Sequence, residues 1–312
     1  AVHKFISVMY LTGGNMMESL KEAKIDFHKP SELRERKGHL TEAHFTKTCL
    51  DAWQNFLQKD DFELLIDEKA VCWKCDGKKE VFAHRAETQV IAKIKCPVCS
   101  GIGTNKQPMV EVTFEIKIYE DDTYIVYLCG TIDKLGKFRN GCYAFGDYKT
   151  TSSWDKVAYF KQYELSTQLL TYRYALKKLG ELYPDSVLGH INKYPVGAFI
   201  DAIFLATGKD TIFKRSEVYF TDPKHTEGLL KEYEEQLDYI AYHLVTTLKH
   251  GDGPRRNGLT NGACSNGYGT SSANGALCKY FYVCACKDDI ARAHVLRNNF
   301  KQKQYHPLKF NE

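Results

Sequence analysis

No stretch of the chain approaches the roughly 20 consecutive apolar residues that span a bilayer, so no membrane-crossing helix is expected. The opening "AVHKFISVMYLTGG" has too short an apolar core for a secretory signal. These two absences read as a soluble protein of the cytoplasm, with no membrane partner. Neither "LTGG" nor "GIGTNK" has the glycine, lysine and hydroxyl spacing of a phosphate-cradling loop. Internal repeats are absent as well. Nor is there an excess of one charge: 43 Lys and Arg against 39 Asp and Glu leave a formal +4. That balance permits an acidic partner such as nucleic acid without demanding one.

Cysteine, by contrast, is plentiful, with 11 in 312 residues. The number is odd and no export signal is seen, so reduced thiols and metal ligands are expected rather than disulfides. The length allows one large domain or two ordinary ones, and 43% hydrophobic residues suit a globular core.

Along the chain, residues 1–69 read as mostly helical. "SELRERKGHLTEAHFTKTCLDAWQNFLQ" carries apolar residues at helical spacing, with Ser31 as a cap. Residues 70–105 read as an inserted module of short strands between two cysteine knuckles. Residues 106–250 form the main α/β part. Within it "VEVTFEIKIYEDDTYIVYLCGTIDKLGKF" alternates as a β-meander, and the Asn140-Gly141 pair marks a tight turn. A helix is expected over 155–180, closed by Gly180, then a core strand "VGAFIDAIFLAT" and a short strand "SEVYFTD". A long amphipathic helix ends at Gly251. Residues 251–312 are a Gly/Asn/Ser-rich loop followed by the last cysteines.

The segment "GTIDKLGKFRNGCYAFGDYKTT" places Asp133 before a turn and Asp147 and Lys149 after it. Strand side chains alternate, so Asp147 and Lys149 share a face while Tyr148 points away. Two carboxylates and an ammonium then converge on one point. Such a set suits an oxygen-liganded Mg²⁺ or Mn²⁺, which activates water and steadies a phosphoryl oxygen. On the helix that follows, Gln168 and Tyr172 stand at i and i+4, on one face, and Glu164 is expected beside them. Glu111 and Glu115, on the preceding strand, read as solvent-face charges. Cys129 and Cys142 read as small core residues.

Cys72-x2-Cys75 and Cys96-x2-Cys99 are separated by 20 residues. Two such knuckles supply four thiolates, the tetrahedral set of a structural Zn²⁺. The late cysteines Cys264, Cys278, Cys284 and Cys286 leave three readings open: an iron–sulfur cluster, a further zinc, or free thiols.

In this order, "GTIDKL", "GDYKT" and "QLLTY" resemble the motifs of the PD-(D/E)XK nuclease superfamily, in its RecB-like, phage-type exonuclease branch. The resemblance spans about residues 38–290. It implies a restriction-endonuclease-like α/β core, a mixed sheet flanked by helices, here with an inserted zinc-ribbon-like module. It also implies that Asp133, Asp147 and the carbonyl of Tyr148 hold the metal and that Lys149 positions the water. Gln168 and Tyr172 would orient the lysine or contact DNA. The family's upstream histidine ligand fits His44 best, with His39 as the rival. Cys278-x5-Cys284 matches the late spacing of family members that carry a [4Fe-4S] cluster. "PRRNGLTNGAC" and "CKYFYVC" resemble the ends of phage-borne members, which implies a bacterial or phage origin.

The expected activity is thus a Mg²⁺- or Mn²⁺-dependent deoxyribonuclease, exonucleolytic by resemblance, in recombination, repair or phage DNA processing. DNA is the expected partner, and a helicase or recombination protein a further one. The alternatives are a non-catalytic zinc-ribbon module that binds nucleic acid, and a chaperone-like zinc protein suggested by "CPVCSGIG".

Overall fold

A computed structural model describes residues 1–28, 41–57, 61–71, 77–84, 91–96, 98–151, 153, 155–205 and 211–250. Two compact units are distinguished: residues 1–116 with 128–234, and residues 117–127 with 235–312. Every catalytic candidate described below belongs to the first.

The chain opens with α1 (Val2–Leu11) and α2 (Met16–Phe27), followed by α3 (Glu42–Ala52) and a π-helical turn over Trp53–Leu57. Asn15 caps α2 by accepting the Glu18 N–H at 3.1 Å. Thr41 caps α3 in the same way through the His44 N–H at 3.2 Å. Caps of this kind contribute about 1 kcal/mol each. The expected cap at Ser31 lies outside the described residues. Phe5, Ile6, Met9, Phe45, Cys49 and Phe56 pack into one core cluster with Tyr148 and Ile203. The N-terminal helices therefore cover one face of the sheet.

The strands are β1 (Phe62–Leu64), β2 (Ile66–Val71), β3 (Glu80–His84), β4 (Ile91–Lys95), β5 (Thr104–Pro108), β6 (Val110–Glu120), β7 (Ile125–Phe138) and β8 (Tyr143–Thr151). Then come α4 (Lys156–Lys161), α5 (Thr167–Leu182), α6 (Val187–Ile191), β9 (Val196–Phe204), β10 (Ile212–Arg215) and α7 (Pro223–Lys249). The main sheet runs β1-β7-β8-β9-β10, with β6 also on β7. It is mixed: β8 and β9 pair in parallel from Tyr143↔Val196 to Thr151↔Phe204, while β7–β8 and β9–β10 are antiparallel. A parallel neighbour needs a crossover, and α4, α5 and α6 supply it. All nine residues of β9 are buried, as expected of a strand covered on both faces.

Between Ile66 and Pro108 two separate strand pairs form, β2 with β5 and β3 with β4. Cys96 and Cys99 are buried there. Cys99 Sγ accepts the Gly103 N–H at 3.3 Å. A Cβ on Gly103 would meet the Gly77 carbonyl at 2.9 Å, so the turn after the second knuckle rests on the turn after the first. Cys72, Cys75, Cys264, Cys278, Cys284 and Cys286 lie outside the described residues.

Several expectations change. "SEVYFTD" is not a strand: β10 ends at Arg215, and within 216–222 only Tyr219 bridges to Ala198. Cys129 is half-buried rather than in the core. The helix over 155–180 is two helices, because Ser166 starts a new one at α5, which realigns the chain before Gln168. Glu164 is therefore exposed in the turn rather than beside Gln168. Gly180 does not end α5, which continues to Leu182; a Cβ there would meet Asn192 Cβ at 2.6 Å, so the glycine allows close packing. Cys142 is exposed in the β7–β8 turn, not a core residue.

In the second unit the turn between β6 and β7 is held by Asp121. Its carboxylate accepts the N–H groups of Thr123 and Tyr124 and pairs with Lys249 at 2.8 Å. No helix among the described residues is long and apolar enough to cross a membrane.

Candidate active site

Antiparallel pairing of β7 and β8 runs from Lys137↔Tyr143 to Lys134↔Gly146. One step further, a side chain replaces the backbone ladder. Asp133 Oδ2 accepts the Tyr148 N–H at 2.7 Å. The strands thus part at the point where Asp133 and Asp147 face each other. Asp147 is buried and Lys149 is 26% exposed, with its Nζ 2.5 Å from Asp147 Oδ2. From α5, Gln168 Nε2 donates to Asp147 Oδ1 at 3.1 Å and to the Tyr172 hydroxyl at 2.8 Å. The i, i+4 pair reaches the strand as its spacing requires. Tyr172 also packs edge-on against Phe145 and Phe114. Tyr148 sends its ring the other way, into the core under the N-terminal helices, and leaves its backbone at the cleft.

The electrostatics of this cleft are those of crowded anions. Burial raises Asp133 above the usual carboxylate range, and the neighbouring charge of Asp147 raises it further. Burial also raises Asp147, outweighing the opposing pull of Lys149. Two carboxylates, Asp147 buried and Asp133 half-buried, with one ammonium paired to Asp147, are short of positive charge. A hard cation with oxygen ligands relieves that deficit, so the donor set fits Mg²⁺ or Mn²⁺. No three His, Cys, Asp or Glu side chains among the described residues stand ready-made as a metal site. Lys149 lies against Asp147 in the arrangement seen.

Two further residues enter that the sequence reading had not assigned to the site. His3, on α1, has its Nδ1 3.8 Å from Asp133 Oδ2, and its ring packs at 5.7 Å against Tyr148. Partial burial, with Lys149 nearby, holds its imidazole well below the usual histidine range. A neutral ring of this kind is a competent metal ligand. His44 sits on α3, where its carbonyl accepts the Thr48 hydroxyl. Among the described residues it makes no ion pair with Asp133. His39 lies outside the described residues. Glu111 is the second addition. The Leu135 N–H donates to the Met109 carbonyl at 2.9 Å, which carries Glu111 toward Asp133, and its charge adds to the rise of Asp133. Ser7 on α1 donates to Glu111 Oε1 at 2.6 Å. The bond to α1, more than alternation along β6, sets where Glu111 points.

The sequence profile of the PD-(D/E)XK nuclease superfamily matches residues 27–285. That span takes in both aspartates, the lysine and α5. The chain belongs to the PD-(D/E)XK nuclease superfamily. It is a nuclease of the metal-dependent kind, and its mixed sheet flanked by helices is consistent with the restriction-endonuclease-like fold. No curated protein and no solved structure matches the chain. His3 precedes the matched span of the PD-(D/E)XK profile. In sequence it is a lone histidine in an apolar helix, with no spacing to link it to Asp133.

Proposed function

We propose that this chain is a Mg²⁺- or Mn²⁺-dependent deoxyribonuclease in which Asp133, Asp147 and the Tyr148 carbonyl hold the cation. His3 stands beside that set and takes the role expected of an upstream histidine. When bound, the cation draws charge from a phosphoryl oxygen and makes water a better nucleophile. Lys149 faces the same cleft and offsets the negative charge that builds on the phosphoryl group. Gln168 fixes Asp147, and Tyr172 fixes Gln168. In the hydrolysis, water oxygen bonds to phosphorus and one P–O ester bond breaks. The products are a phosphate monoester and a hydroxyl, so atoms balance. The observation that carries this reading is the parting of β7 and β8 at Asp133 and Asp147, where Asp133 accepts the Tyr148 N–H and Lys149 and Gln168 both engage Asp147.

Attack from a DNA end, in recombination, repair or phage DNA processing, is the mode proposed on the motif resemblance. The test uses end-labelled linear and closed circular DNA in Mg²⁺, Mn²⁺ or EDTA, beside Lys149→Ala. Metal-dependent loss of linear DNA alone, absent in the variant, supports an exonuclease. Nicked circles change the mode to endonuclease. Tight DNA binding without cleavage in any metal sinks the enzyme in favour of a binding module.

A structural Zn²⁺ on Cys72, Cys75, Cys96 and Cys99 is proposed for the ribbon. The burial of Cys96 and Cys99 and the N–H donated to Cys99 Sγ support it, as such bonds stabilise a thiolate. Elemental analysis should give one zinc per chain and none in Cys96→Ser; zinc-free wild-type protein of normal stability refutes it.

A further inference from the structure

A second cleft opens in the same unit, away from the carboxylates. Arg173 follows Tyr172 on α5, so its side chain leaves the helix about 100° round from the catalytic face. Its Nε and Nη1 atoms are buried, and they find no hydrogen-bond acceptor among the described residues. Folded proteins pair nearly all such groups, and a buried, unpaired charge is strongly unfavourable. The nearest carboxylate compensates only in part. Glu227 lies on the cleft, but Lys177 engages its Oε1 at 2.7 Å. Burial pulls the Arg173 guanidinium down from its ordinary pKa, and the field of Glu227 only partly opposes that.

The cleft has a volume of about 250 Å³, far more than the roughly 30 Å³ that one water occupies. Asn192 and Lys193, just past the end of α6, line it beside Arg173, and Tyr194 and Phe220 give it an aromatic wall. Lys193 is exposed at the rim. Two cations and a flat apolar surface suit an anion carried on an organic body.

We propose that this cleft binds a phosphate ester, with Arg173 as its buried ligand and Lys193 at its mouth. Arg173 donates hydrogen bonds to the phosphate oxygens, Lys193 adds charge, and Tyr194 faces the sugar or base. The site is distinct from the carboxylate cleft. Val196, on its floor, stands opposite Tyr143 on β8, whereas Asp147 stands opposite Ile200. At about 3.3 Å per strand residue, the two places are roughly 13 Å apart along the sheet. The ester is either a free nucleotide or a phosphate within a bound strand, and the chemistry of capture is the same.

The test reads binding without cleavage, so its failure is separable from that of the nuclease assignment. The full chain is titrated calorimetrically in EDTA with inorganic phosphate, a nucleoside 5′-monophosphate and a short single-stranded oligonucleotide. In Arg173→Gln the affinity should fall by roughly tenfold or more, the scale of one charge-assisted hydrogen bond. Arg173→Lys should retain part of it, and Lys193→Gln should weaken it a few-fold. A nucleotide that binds where the oligonucleotide does not identifies a free-ligand site. Salt-sensitive oligonucleotide binding that depends on Arg173 identifies a strand phosphate. Absence of binding by all three probes overturns the proposal. So does equal affinity in a folded Arg173→Gln protein. Should Arg173→Gln fail to fold, the wild-type arginine Nε–H resonance assigned through Arg173→Lys decides the matter. It should shift on adding phosphate, and a resonance that stays in place overturns the site.

Discussion

Two charge clusters meet at strand β7, one reaching β8 and the other β9 and β10, and they behave in opposite ways. On one face Asp133 and Asp147 crowd around a single ammonium, and both carboxylates are raised. On the other face Lys134 and Arg215 converge on Asp201. Lys134 Nζ is 2.6 Å from Asp201 Oδ2, with both side chains wholly buried, and Arg215 Nε is 2.7 Å from Oδ1. Burial alone would raise Asp201, but the two cations outweigh it and hold it below the usual range. Lys134 also lies over the rings of Tyr148 and Phe199, at 4.4 and 5.0 Å. Successive residues on one strand, Asp133 and Lys134, thus belong to different chemistries. The satisfied cluster acts as a fixed floor, and the anion-rich one is left to be completed by a cation and a substrate phosphate.

Four substitutions separate the two. Lys149→Ala should lower the cleavage rate at least ~100-fold while shifting the melting temperature little, because the lysine reaches solvent. Undiminished cleavage would remove it from the chemistry. Asp201→Ala should act the other way. It leaves two buried cations without their anion and should destabilise the fold by about 3–5 kcal/mol, a fall in melting temperature on the order of 10 °C. A smaller loss than that of an average surface variant would show the cluster to be idle. Gly146→Ala should be milder, about 1–3 kcal/mol, since its Cβ would meet Lys134 Cε and Phe199 Cζ at 2.5 Å. Unchanged melting would mean that Lys134 can move aside.

The smallest effect is Asp133→Asn, which should slightly stabilise the chelated protein near neutral pH. The sign follows from linkage. A folded carboxyl with a raised pKa keeps a proton that the unfolded chain has released, so stability falls as pH rises through the folded pKa. Removing one of the pair relieves that fall and should also abolish stabilisation by added Mg²⁺. Asp201 predicts the opposite limb, with stability present above the ordinary Asp value and lost as pH falls through its depressed pKa. Melting curves across pH, in EDTA and in Mg²⁺, would resolve the two limbs. A flat neutral limb in wild type would contradict the crowding of Asp133 and Asp147.

Much of the site was legible because it is local. Asp133, Asp147 and Lys149 lie on a hairpin whose alternation dictates which side chains meet, and the i, i+4 spacing of Gln168 and Tyr172 dictates a shared face. The mixed sheet flanked by helices was implied by the motif resemblance, and the parallel β8–β9 pair with its helical crossover came from the tertiary structure. Local pattern misjudged the break at Ser166, where a capping residue within a helical run opened a new helix. It also misread Gly180, whose role is contact with Asn192 rather than termination.

What the sequence by itself determined is the hairpin, its two aspartates and lysine, and the helix that meets them. These depend on residues a few positions apart, and backbone periodicity relates such residues without knowledge of the rest. Only the tertiary structure decided that His3 joins Asp133, that Ser7 holds Glu111, that Lys134, Asp201 and Arg215 neutralise one another, and that the buried Nε and Nη1 of Arg173 find no acceptor among the described residues. Those relations join distant segments, and they exist only once the sheet has formed and excluded water from the charges it encloses.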